Sequence, residues 1–165
     1  FTINIDSGEY RDVIFQSSRE RPKPMLRVLG SGKARLEGVK VLIVDDSPDN
    51  LFLVGRMLKS AGAIVDVAEN GQLGMNKALL NEYDVLLMDL QMPVMDGYEA
   101  AAELRRKGYR KPIFALTAHA LNEDRIRCLS SGFDDHFVKP LEKETILQRL
   151  TEFRKSLPEQ AIQHS

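Results

Sequence analysis

The chain has 165 residues, 43% of them hydrophobic and 28% charged, with a formal net charge of −1. This is the balance of a soluble globular protein with length for one domain and some extra chain, without the basic excess that selects phosphate backbones, so no nucleic-acid partner is expected. Cys128 is the only cysteine, which excludes an intrachain disulfide and fits a reducing, cytoplasmic setting. No apolar run reaches the roughly 18 residues of a membrane span, and no signal peptide is legible. The first residue is Phe1 rather than Met, so the sequence reads as a piece of something longer, whose parent is free to carry a membrane anchor elsewhere.

At the start, FTINID alternates apolar Phe1, Ile3 and Ile5 with polar neighbours, the two-residue period of a half-exposed strand. Gly8 breaks the alternation, and RDVIF offers a second short strand, so residues 1–16 read as terminal strands. Residues 17–38 are rich in Pro, Gly, Ser and basic side chains and read as a linker, its cations serving solvation. From Gly38 onward, β-branched runs (KVLIVD, IVDVAE, VLLMDL, PIFALT, HFVK) alternate with helix-like segments at 50–60, 72–81, 98–107, 123–131 and 143–155. In the first of these, Leu51, Val54, Leu58 and Ala61 fall on one face. Five strands alternating with five helices predict βαβ units and a parallel sheet covered on both sides, and wholly apolar strands such as VLIV suit such a sheet. The cations of RRKGYRK, at 105–111, read as complements to a helix carboxyl end rather than a nucleic-acid patch.

In an open parallel sheet, function collects where strands end and loops leave for the helices. Asp45 and Asp46 end the first run, Asp89 the third, Thr117 the fourth and Lys139 the fifth. In a flavodoxin-like order, strands one and three are neighbours, so three carboxylates meet at one rim. Such a cluster requires protonation or a cation, and a few hard oxygen ligands with room for water favour Mg2+ over Zn2+. A lone Asp here would read as a cap, and Ser47 or Asp49 does suit the entry to a helix. Three Asp, a Thr and a Lys, each at a strand end, favour a functional site. With a metal present, Asp89 is placed to attack a phosphoryl group and form an acyl phosphate, with Lys139 and Thr117 contacting phosphoryl oxygens. The Lys139–Pro140 bond is read as either cis or trans.

Residues 39–155, about three-quarters of the chain, resemble the receiver (response-regulator) domain of two-component signalling through VLIVDDSPDN, VLLMDLQMPVMDGYEA, PIFALTAHA and DDHFVKPL. The resemblance implies a flavodoxin-like (CheY-like) five-stranded parallel sheet of order 2-1-3-4-5 with five helices on both faces. It also implies Mg2+-dependent phosphorylation of Asp89 by a phosphohistidine. By the same carry-over, Asp46, Asp89 and the Gln91 main-chain carbonyl ligate the metal, Asp45 acts mainly through water, Lys139 pairs with the phosphate, and Thr117 is the switch hydroxyl. The companion switch position, often aromatic in the family, is His136 here. Gln91 and His119 flank the pocket, and Gly97 is expected to supply a permissive backbone angle. Residues 156–165 are read as a tail.

FTINIDSG is similar to the closing strand of a histidine-kinase ATP-binding domain, which would make the parent a hybrid sensor histidine kinase. The ATP motifs of that domain are missing, so this piece is expected neither to bind ATP nor to phosphorylate histidine. Since only FRKSLPEQAIQHS follows Glu152, the expected partners are a histidine kinase or a histidine-containing phosphotransfer protein, with no membrane contact by this piece. Alternatives are a stand-alone response regulator, an Asp-nucleophile phosphohydrolase and a flavin binder. The phosphohydrolase is disfavoured because its DxD spacing is not met, and the flavin binder because SPDN replaces a phosphate loop.

Overall fold

The structure, a computed structural model, describes residues 35–156. The expected terminal strands, most of the expected linker and the tail beyond Ser156 lie outside the described residues. Along them run β1 (Lys40–Val44), α1 (Pro48–Lys59), β2 (Ile64–Ala68), α2 (Gly71–Leu80), β3 (Val85–Asp89), α3 (Gly97–Arg106), β4 (Ile113–Thr117), α4 (Asn122–Ser130), β5 (Asp135–Val138) and α5 (Lys143–Ser156). The five strands form one parallel sheet of order β2-β1-β3-β4-β5, as expected.

Strand alternation divides the core into two. Val41, Ile43, Leu87, Phe114, Leu116 and Phe137 face Val54 and Leu58 of α1 and Ile146, Leu147 and Leu150 of α5. Leu42, Val44, Leu86, Met88, Ile113 and Ala115 face α2, α3 and α4, meeting Met75, Ala78, Ala100, Ala101, Leu104 and Cys128. β1, β3 and β4 are nearly free of solvent because both faces are covered. Arg35–Gly38, the last residues assigned to the linker, form a turn, and Leu36 is fully buried in the first cluster.

The helix starts follow from their caps. The Ser47 hydroxyl accepts the Asn50 N–H ahead of α1, with Pro48 in its first turn, and Asn70 and Asp96 do the same for α2 and α3. By contrast, α4 has no side-chain cap, and Cys128 is its one buried residue.

β2 is an edge strand, more exposed than its β-branched run suggested. Val67 has both main-chain groups occupied: its N–H donates to Asp66 Oδ1 at 2.8 Å and its carbonyl accepts Lys77 Nζ at 2.8 Å. At the opposite edge the His136 N–H donates to Asp135, whose other oxygen is held by Arg149. An edge whose polar groups are already bonded is a poor template for another strand.

Candidate functional site

The parallel order carries β1 and β3 side by side, so the turn after Val44 and the last residue of β3 open at the same rim. Asp45, Asp46 and Asp89 each offer a carboxylate oxygen within 4.8 Å of the others. Asp45 is 1% exposed and Asp89 7%, while Asp46 faces solvent. Lys139, just past β5, reaches across β4 to place Nζ 3.1 Å from Asp45 Oδ2 and 3.2 Å from Asp89 Oδ1. The Lys139–Pro140 bond ahead of α5 is cis.

Three carboxylates against one ammonium leave the rim negative. Burial pushes the Asp89 carboxyl above the usual carboxylate range and the nearby Asp45 charge adds to this, against the pull of Lys139 and the Gln91 N–H. Burial alone would lower the lysine, but Asp45 and Asp89 more than reverse it, so Lys139 stays a firm cation. The Gln91 N–H points at Asp89 Oδ1 from 3.4 Å, and Gln91 itself is exposed.

The structure does not bring every expected residue into direct contact with this cluster. Thr117 is buried at the end of β4, but its hydroxyl is engaged in the following loop, accepting the His119 N–H at 3.1 Å and donating to the His119 carbonyl at 3.2 Å. His119 is exposed. His136 is half-buried on β5, with Nδ1 3.7 Å from Asp135 Oδ1.

One expectation is corrected. Gly97 does not adopt a left-handed angle; the positive angle in this loop belongs to Val94, at φ 72°. Glycine is required at 97 because an added Cβ would lie 2.3 Å from the Asp89 carbonyl oxygen. The Gly97 N–H also donates to the Leu90 carbonyl, so α3 begins pressed against the main chain that carries Asp89. Sequence reasoning also missed Asn50, whose Nδ2 lies 3.3 and 3.1 Å from the two Asp45 oxygens.

Sheet order and rim place the chain among the flavodoxin-like α/β folds with an acidic site at the strand ends. The chain belongs to the response regulator receiver domain family, whose model matches residues 41–151, and is a receiver of two-component signalling. The sensor histidine kinase GacS of Pseudomonas protegens is 39% identical over 114 residues, which cover 66% of this chain and 12% of the kinase. The chain thus spans a small part of that relative's length. The receiver domain of the sensor histidine kinase PA1611 from Pseudomonas aeruginosa, solved with a magnesium ion in its active-site cleft, is 40% identical with a TM-score of 0.62. That match covers 70% of this chain and 98% of that one. The receiver domain of Ssk1 from Saccharomyces cerevisiae, crystallised with the histidine phosphotransfer protein Ypd1, is 29% identical with a TM-score of 0.68, covering 75% and 95%. No helix among the described residues is long and apolar enough to cross a membrane.

Proposed function

We propose that Asp89 is the phosphoacceptor of this receiver and that it takes its phosphoryl group from a phosphohistidine in a Mg2+-dependent reaction. The observation that carries this reading is the convergence of three carboxylates, with oxygens within 4.8 Å, on a site whose single contacting cation among the described residues is Lys139. Those oxygens fit a small hard cation. Asp46 and Asp89 would hold it with the Gln91 main-chain carbonyl, and Asp45 would act through water. Bound Mg2+ would neutralise phosphoryl charge and favour in-line geometry.

The remaining chemistry falls to the chain's own side chains. An Asp89 carboxylate oxygen attacks phosphorus, and the P–O bond forms as the P–N bond to the donor imidazole breaks. The electron pair of that bond stays with the departing nitrogen. Lys139 exchanges its ion pair with Asp89 for a phosphoryl oxygen, and Thr117 gives up its loop bond to donate its hydroxyl to another.

The change at Thr117 would bias the face built from α4, β5 and α5, with His136 as the companion switch residue. That α4 has one buried side chain and no capping bond, while Leu121, Ile126 and Leu129 are exposed, supports a readily repositioned element. The phosphohistidine partner, a histidine kinase or a phosphotransfer protein, must approach the rim. Exposed Phe52 on α1 and Val94 on the β3–α3 loop offer it apolar contacts there. We assign the parent as a hybrid sensor histidine kinase, supported by the likeness to GacS.

The test is intact mass after incubation with acetyl phosphate, with and without Mg2+, alongside Asp89→Asn. A Mg2+-dependent phosphoryl adduct in the parent alone supports the reading. No adduct, together with no beryllofluoride complex at Asp89, would refute it.

A further inference from the structure

We propose that Asn50 is a positioning residue: it holds the Asp45 carboxylate in place and thereby sets how tightly the acidic rim holds its cation. This inference rests on the metal reading above. Asp45 is almost wholly buried and accepts from three directions. The Ser47 N–H donates to Oδ1 at 2.8 Å, Lys139 Nζ to Oδ2 at 3.1 Å, and Asn50 Nδ2 lies within reach of both oxygens, at 3.3 and 3.1 Å. A carboxylate has about four lone-pair directions, so these contacts occupy most of its capacity. Asp45 is thereby disposed to face the cation through water rather than to wrap around it.

Among these donors Asn50 has a particular part. Ser47 reaches one oxygen, from the main chain. Lys139 is shared with Asp89 and must be released to pair with a phosphoryl group. Asn50 spans both oxygens, so it holds the carboxylate head in place as a unit while the Ser47 N–H, bonded to Oδ1 alone, sets its rotation, and this hold persists when Lys139 is released. Its own main chain is fixed in turn, because the Asn50 N–H donates to Ser47 Oγ, the cap of α1. Asp45, Ser47 and Asn50 therefore brace one another within a single turn of chain.

The chemistry of the side chain matters as much as its reach. An amide donates without carrying charge, so it bonds Asp45 and leaves the negative rim's attraction for a cation intact. A lysine here would compete with the metal, and an acid would push Asp45 away. Hydrogen-bond partners behind a metal site commonly change metal affinity by about 10–100-fold when removed.

The experiment is a Mg2+ titration of the full chain by isothermal calorimetry, comparing the parent with Asn50→Ala and Asn50→Leu. Leucine keeps the branched shape and donates nothing. Urea unfolding in EDTA establishes that each variant is folded. Both variants are expected to bind Mg2+ about tenfold more weakly than the parent, and to need correspondingly more Mg2+ to form the acetyl-phosphate adduct. Parent-like affinity in both variants overturns the proposal, and so does a loss confined to Asn50→Ala, which would mark a packing role. A parent without saturable Mg2+ binding is a different result: the metal reading itself fails and takes the inference with it.

Discussion

At the amino-terminal ends of the strands, Asp84 and Asp134 each accept the main-chain N–H that opens a neighbouring strand, Lys40 and Ile113, both at 2.8 Å. Asp134 also holds Arg105, which donates to the carbonyls of Gly132, Tyr109 and Lys111 and so closes the end of α3 against two loops. At the carboxyl-terminal ends the same residue types are left out of balance: three carboxylates face each other, and one lysine serves two of them. Carboxylates that satisfy strand ends stabilise the fold. Carboxylates gathered without enough countercharge cost stability and leave a site ready for a cation.

The contrast is broken most severely at the amino end. Arg105→Ala should cost about 3 kcal/mol, since it strips donors from three carbonyls and leaves Asp134 without its cation. Urea unfolding would read this, while the folded fraction should still form the Asp89 adduct. At the carboxyl end, Gly97→Ala should cost about 2 kcal/mol, because the new Cβ would lie 2.3 Å from the Asp89 carbonyl oxygen and the loop must shift to accept it. Here adduct formation, followed by intact mass, should fall in the folded protein too.

The sign reverses for Asp89→Asn. Removing a buried charge beside Asp45 should stabilise the metal-free protein by about 1 kcal/mol in urea unfolding while abolishing the adduct.

The smallest effect lies away from both rims. Burial alone would raise Asp66, but Lys77, the Tyr83 hydroxyl and the Val67 N–H hold it below the ordinary carboxylate range. Its contribution is present above that range and lost as pH falls through the lowered folded value. Asp66→Asn should flatten the acid limb of the stability–pH curve by about 0.5 kcal/mol, reduced by solvent screening.

Much of this was legible in the sequence, because each strand announces itself by an apolar run and the polar residue ending it has few structural reasons to be there. The strand-end places of Asp45, Asp89, Thr117 and Lys139 were read in that way, and the parallel sheet followed from the alternation of elements, its strand order coming from the family resemblance. What escaped is set by contacts that periodicity does not encode. Arg105 does lie in the last turn of α3, as read, but the four partners its guanidinium bonds over residues 109–134 were not legible from that. Asn50 read as an unremarked helix residue, since its bond to Asp45 depends on how the turn folds back. At Gly97, closeness of main chain to main chain was mistaken for a need for unusual torsion. That β2 lies at the edge follows from the sheet order, which its own residues, Asp66 among them, do not state.

The measurement that bears most directly on the contrast between the two rims is unfolding of the parent and of the double variant Asp46→Asn, Asp89→Asn, with and without millimolar Mg2+. A ligand that binds only the folded state raises its stability by mass action. The account predicts that Mg2+ stabilises the parent and leaves the double variant unmoved. A parent whose stability ignores Mg2+, or a double variant that gains as much as the parent, would contradict it.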